Sequence, residues 1–302
     1  MLYIGKSKRI TMKNLGLSVI FTFLFLGISA QEVPDSCAWK LSGQVSLNFT
    51  QASFSHWIAG GKNSVSGVGL LDVSANYQKD RVHWDNSLKA GYGFMKEGKD
   101  ELIKNEDRLD LSSKLGIETG NEHLLFSSFL NFLTQFADGY KYPNTVDKIS
   151  GFFAPAYFTV APGLDYKSSE KFSLFFTPVS GKFTFVIDEA LSEAGAFGVD
   201  PGKKARAEMG ATVKSELKTP VVKNVDLSIS LILFSNYLNQ PENIDVNWDA
   251  TVNMKINEFL SANLLTNLIY DHDILIPLDD LGNKGRRVQL KQLFGVGLNL
   301  KF

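Results

Sequence analysis

A single cysteine, Cys37, stands in 302 residues, so no disulfide can brace the chain from within. Proline is sparse, nine in all, and the formal net charge is only −1. A chain with no basic excess lacks the electrostatic footprint of a nucleic-acid partner. Past residue 30, no apolar run approaches the roughly twenty residues that a spanning helix needs. Glycine-rich phosphate loops, HExxH and GxSxG are all missing. The four histidines, His56, His83, His123 and His272, are scattered and not spaced as metal ligands. The sequence is therefore read as non-enzymatic, with no cofactor and no metal.

What the chain has is alternation. Every even position from Val288 to Phe302 is apolar except Gln292, while the odd positions are mostly Gln, Lys, Gly and Asn. The same pattern recurs in Leu41 to Phe49, Val65 to Tyr77, Trp84 to Phe94 and Leu109 to Ile117. It returns in Ala205 to Leu217, Val225 to Leu233, Val246 to Ile256 and Leu260 to Tyr270. Between these, Leu124 to Phe136, Phe152 to Tyr166 and Phe172 to Ile187 are apolar on both faces. Long amphipathic strands put one face in oil and one in water, the unit of a membrane barrel. The expectation is all-β: a transmembrane antiparallel β-barrel of about 12 strands over residues 41–302.

The connections alternate short and long. Gln78 to Arg81 and Thr119 to Glu122 are short, whereas Met95 to Asp107 and Asp188 to Lys204 are long. With both termini in the periplasm, every long loop falls outside, as in outer-membrane barrels. Tyr92, Phe94, Tyr237, Trp248 and Tyr270 then form an outer aromatic girdle, and Tyr77, Trp84 and Phe302 an inner one.

The N-terminus reads as a secretory signal. Lys6, Lys8, Arg9 and Lys13 precede the apolar run Leu15 to Ile28, and Ser29-Ala30 offer small residues before Gln31. Residues 1–30 are thus expected to be removed, from a start at Met1 or Met12, leaving 31–40 as a short periplasmic tail. Pro34-Asp35-Ser36 before Cys37 argue against a lipid anchor there.

The strand phases point Lys89, Arg108, Asp110, Lys114, Arg206, Glu208 and Lys255 into the lumen, where charges must pair or be wet. Trp57 with Gly60 and Gly61 forms an aromatic-glycine turn suited to capping or plugging the outer mouth. Asp271 and Asp273, with Asp279-Asp280 following, make an acidic outer loop: a solvated loop, or oxygen ligands at the density that Ca²⁺ takes. Pro155, Pro162 and Pro178 sit in neighbouring strands and imply bulges, or a seam by which an apolar ligand leaves sideways. Ser55, His56, His272 and Asp273 supply the residue types of a hydrolase but no motif.

Several local motifs carry a resemblance: Trp57 with Gly60-Gly61, Thr134 to Tyr140, Ala154 to Tyr157, Gly195 to Val199, Asn243 to Trp248, and Tyr270 to Asp273. Through them nearly the whole mature chain resembles an uncharacterised Bacteroidota outer-membrane barrel family catalogued as a domain of unknown function. The chain departs from it at His56 and Gly151. The resemblance implies location and fold, and brings no activity. The expected function is passage of small solutes across the outer membrane. A non-conducting barrel that serves an envelope assembly is the first alternative, and a lipid hydrolase the second. The expected partners are outer-membrane lipid, small solutes and the barrel-assembly machinery, met through Phe302.

Overall fold

The structure, a computed structural model, describes residues 38–53, 62–169, 171–278 and 283–302. Residues 1–30, where a signal is expected, and Cys37, Ser55, His56, Trp57, Gly60, Gly61 and Asp279-Asp280 lie outside those residues.

Sixteen strands form among the described residues: β1 Trp39–Ala52, β2 Ser64–Lys79, β3 Val82–Glu97, β4 Ile103–Glu118, β5 Leu124–Thr134, β6 Gly139–Tyr140, β7 Lys148–Ser150, β8 Ala156–Ser169, β9 Phe172–Phe185, β10 Ala205–Val222, β11 Val225–Asn236, β12 Ile244–Lys255, β13 Leu260–Tyr270, β14 Ile276–Pro277, β15 Lys284–Gly285 and β16 Gln289–Lys301. Twelve of them close into an antiparallel barrel in the order β1-β16-β13-β12-β11-β10-β9-β8-β5-β4-β3-β2. The other four make two small ribbons, β6 with β7 and β14 with β15. Barrel strands run from 11 to 18 residues, enough to cross the hydrocarbon layer at a tilt.

Burial shows where the strands sit. Leu41, Phe49, Phe126, Leu290 and Phe294 are exposed on the outside, Phe126 and Phe294 at 66% and 65%. Ser46, Lys114, Asp165, Glu208, Lys214, Asn253 and Asn299 are buried inside. This inverts the rule for soluble proteins and fits a wall with lipid outside and polar groups within.

Two-residue turns at Asp80-Arg81 and Lys223-Asn224 are possible because Asp80 and Asn224 accept left-handed backbone, φ 54° and 66°. Such turns alternate with long connections at 53–63, 135–155, 186–204 and 271–288. The barrel thus has a short-turn end, which holds both ends of the wall, and a long-loop end. Two boundaries shift from the sequence reading. The wall begins at Trp39, whose ring sits 5.2 Å from Tyr77 and 5.5 Å from Trp84, so Trp39 and Lys40 are strand and not tail. β3 and β4 keep pairing as far as Met95 and Ile103, so the loop expected over Met95 to Asp107 shrinks to 98–102.

The strands with blurred alternation border an apolar patch inside the barrel. Leu125, Phe129, Ala161 and Phe175 are buried within, while Phe126, Leu130 and Phe176 face out. The prolines mark bulges. The β8/β9 ladder breaks between Val160↔Gly181 and Leu164↔Phe176, and the β9/β10 ladder between Gly210↔Ser180 and Thr212↔Thr177. There the Thr177 hydroxyl donates to the Pro162 carbonyl and accepts from the Val179 N–H, and Ser180 donates to the Gly210 carbonyl. At the opposite seam β1 and β16 pair only from Gln44↔Lys301 to Asn48↔Gly297. Beyond that ladder Gly43 and Phe302 exchange main-chain hydrogen bonds of 2.8 and 2.9 Å. The Phe302 ring lies over Gly43, where any side chain would overlap it.

Candidate solute path through the bridged lumen

The charged face of the strands does not line an open bore. Arg108 on β4 donates to Asp110 at 2.6 Å and, across the lumen, to Asp249 on β12 at 2.9 Å. Strands β4 and β12 are six positions apart in either direction around the wall, so this pair spans the barrel. Asn131 holds Asp110 at 2.7 Å, and Asn267 donates to Asp249. Beside this bridge, Lys291 on β16 reaches both carboxylate oxygens of Glu106 on β4 at 3.0 Å.

A second layer lies toward the long loops. Lys182 on β9 meets Asp245 at 2.9 Å, Asp271 at 3.1 Å and Glu208 at 3.7 Å. Arg206 pairs with Glu208 and with Asp273, and donates to the Gly198 carbonyl at 3.2 Å. The loop that starts at Asp271 is thereby tied into the mouth. The other long loops are folded too. A five-residue helix, α1 Glu189–Glu193, is capped by Asp188, which accepts from the Leu191 N–H at 3.1 Å. Leu191, Val199, Val186 and Ala154 form a small apolar core with Phe197 against it. Gly195 and Gly198 take left-handed φ of 62° and 76°, which explains the glycines of that motif. Lys148 on β7 joins the two largest loops by pairing with Asp138 at 2.9 Å and Asp188 at 3.5 Å. Its hydrogen bond to Asp138 raises its pKa above the ordinary lysine value.

Toward the short turns, one side of the lumen is filled. Lys114 pairs with the fully buried Asp165 at 2.7 Å, and the Lys214 ammonium stands 4.4 Å above the Phe129 ring. Lys167 on β8 reaches Asp85 on β3 at 2.5 Å. The other side is a cavity of about 450 Å³ below the Arg108 bridge. Asp72, Lys89, Lys218, Asp226 and Lys301 line it, with Gln44, Asn263 and Asn267. Asp72 is exposed although it lies mid-strand on the inward face, as it must be if the cavity is wet. Lys301 pairs with Asp226 at 3.3 Å, whereas Lys89 and Lys218 have no ion pair among the described residues.

The structure brings together Arg108 and Asp110, and separately Arg206, Glu208, Asp271 and Asp273. Lys89 faces the cavity, and Lys114 is paired on its far side. Lys255 is the last residue of β12, exposed at the rim and outside the cavity. Of the acidic loop, Asp271 pairs with Lys182 and Asp273 with Arg206, and no metal-ligand group forms among the described residues. His272 bonds the Tyr270 hydroxyl at 3.1 Å, and none of the described serines bonds a histidine ring. Lys182, Asp245, Glu106 and Asp165 escaped the sequence reading. Lys182 and Asp165 lie in the blurred strands, Glu106 in a stretch read as loop, and Asp245 at the edge of another.

Twelve antiparallel strands, apolar outside, charged within and closed without an edge, define an outer-membrane β-barrel. Residues 49–140 match a family described as Protein of unknown function (DUF3078), a narrower span than the resemblance expected over the mature chain. Among solved structures, the chain is similar to an outer membrane channel from Pseudomonas putida F1, at 12% identity and a TM-score of 0.37 over 91% of this chain and 98% of that one. It is similar to the translocator domain of the autotransporter NalP from Neisseria meningitidis, at 7% identity and 0.36 over 96% and 98%. For OmpF of Salmonella typhi the figures are 10% and 0.28 over 87% and 97%. No curated protein matches the chain.

Proposed function

We propose that this barrel is a passage for small polar solutes across the outer membrane, closed in the described conformation by the Arg108/Asp249 bridge. The observation that carries this reading is the cavity below the bridge, whose lining includes charged side chains as far as Lys218 and Lys301 at the short-turn end. In this reading the short turns and both termini are periplasmic, and the long loops face outward. The leader is cleaved before Gln31, and Phe302 is the residue that the assembly machinery meets. The chain passes solutes and catalyses nothing.

Planar-bilayer conductance tests the passage. Wild-type protein should show low or no steady current, and the Arg108→Gln/Asp249→Asn double variant a clear increase. A large steady wild-type current would end the closed-bridge reading. A second reading, a non-conducting barrel that serves a partner, is favoured by the Phe129, Ala161 and Phe175 cluster and the Lys114/Asp165 pair, which fill one side of the lumen. Silence from both proteins despite confirmed insertion would leave that reading standing. Orientation is tested by single cysteines at Val146 in a long loop and Glu122 in a short turn, in a Cys37→Ser background. An impermeant maleimide on whole cells should label the first and spare the second.

A further inference from the structure

We propose that the long-loop mouth is a cation filter, so that the solutes the barrel passes are small cations. The inference rests on the passage reading and names its solute class. The mouth layer holds four carboxylates, Glu208, Asp245, Asp271 and Asp273, against two cations, Lys182 and Arg206. It carries two negative charges in excess. Lower in the lumen the charges balance. The cavity below the bridge sets Asp72, Glu106, Asp226 and Asp249 against Lys89, Arg108, Lys218 and Lys301, so it has no preference of its own. Asp110 and Lys291 beside the bridge cancel, and the filled side sets Asp165, Asp85 and Glu216 against Lys114, Lys167 and Lys214. Across the mouth, on β4, Lys104 is matched by Asp107 at 2.7 Å. Arg286 comes near the layer, where its Nε donates to the His272 carbonyl at 2.7 Å, but it is exposed and makes no ion pair among the described residues. Water screens Arg286, whereas the four carboxylate side chains are only 2–16% exposed and their field is screened much less.

The layer also has one unfilled acceptor among its eight carboxylate oxygens. Asp245 accepts from Lys182 and the His272 N–H, and Asp271 from Lys182 and the Asp273 N–H. Asp273 accepts from Arg206 and Asn239, and Glu208 Oε1 from Arg206 and Asn236. Glu208 Oε2 has no donor among the described residues; it is buried, with the Lys182 ammonium 3.7 Å away. A buried carboxylate oxygen without a donor is costly, and a cation that enters the mouth relieves that cost. Clustered carboxylates at a pore entrance favour cations for the same reason.

The test uses the bridge-opened protein, Arg108→Gln/Asp249→Asn, which loses one charge of each sign and keeps the cavity balanced. Reversal potentials across a planar bilayer under a KCl gradient should favour K⁺ over Cl⁻ roughly threefold or more at about 0.1 M salt, where the Debye length is about 10 Å. Adding Asp271→Asn and Asp273→Asn leaves two carboxylates against two cations and should bring the ratio to unity. Adding Glu189→Gln and Glu193→Gln instead, two exposed acids of α1, should leave it unchanged. A ratio of unity, or a preference for Cl⁻, in the bridge-opened protein would overturn the filter whether or not the mouth variants fold. So would K⁺ selectivity that survives the loss of Asp271 and Asp273 in a barrel with an intact heat-dependent gel shift, or that falls equally with Glu189 and Glu193. Silence from the inserted bridge-opened protein would end the passage and the filter together. Conductance without selectivity would end the filter alone.

Discussion

Arg108 and Asp249 touch across a barrel that, if circular, would be too wide for them. Twelve strands spaced about 4.8 Å apart and tilted about 40° enclose a circle roughly 24 Å across. An extended Arg, an Asp and a hydrogen bond together span about 14 Å between Cα atoms. With the 2.9 Å contact made, the section must be oval and drawn in along the line from β4 to β12.

The first prediction follows from that contact. Arg108→Gln alone strands two carboxylates, Asp110 and Asp249, and should cost more than Arg108→Gln combined with Asp249→Asn. The coupling from a double-mutant cycle in reversible urea unfolding should be about 0.5–3 kcal/mol. Additive costs would mean that the bridge is not populated in solution.

Lys114→Met should be among the most destabilising single changes in the wall. It leaves Asp165, fully buried and 2.7 Å from the lost ammonium, without a counter-charge. Removing one member of a buried pair typically costs about 3–5 kcal/mol, and neutralising both members costs far less. Unfolding midpoints of Lys114→Met and of Lys114→Met/Asp165→Asn, compared at equal denaturant slope, check the order. Equal midpoints would show that the pair is solvated.

Thr177→Val keeps the shape of the side chain and removes the hydroxyl that serves both the Pro162 carbonyl and the Val179 N–H. These groups sit where the ladder is interrupted, so the loss should be about 1–3 kcal/mol. Hydrogen exchange at Val179 and Ser180 should quicken more than at Ile229, whose ladder with β12 is unbroken. Uniform exchange would refute a local role.

Ile229 faces lipid between Leu217 and Ala250, and Ser228 beside it lines the cavity. Ile229→Arg should cost about 2–4 kcal/mol near the bilayer midplane, and Ser228→Arg markedly less. A reversed order in unfolding from lipid would show that β11 is out of phase.

The wall was legible because alternation is a two-residue code that survives wherever one face meets oil. Leu290, Phe294 and Leu298 are outside, and Lys291 and Asn299 inside, as their parity requires. Parity also placed Arg108 and Glu208 in the lumen, but it could not pair them. The partners Asp249 and Lys182 depend on which strands face each other after closure, a relation between residues up to 141 apart in sequence. Where the inside is apolar too, as at Phe129 and Phe175, the code has no contrast to read. The resemblance motifs were visible as patterns. What four of them share appears only in three dimensions: Thr134, Gly198, Asp245 and Asp271 all brace the long-loop mouth.

Main-chain pairing is short between β1 and β16, and between β8 and β9 the ladder skips from Val160 to Leu164. Six strands separate these lines on either side. These two lines divide the wall into two half-shells of six strands each. Arg108 and Glu106 belong to one half-shell, Asp249 and Lys291 to the other. The ion pairs across the lumen are therefore tie rods. Cutting them should let the half-shells part while the sheet of each remains whole.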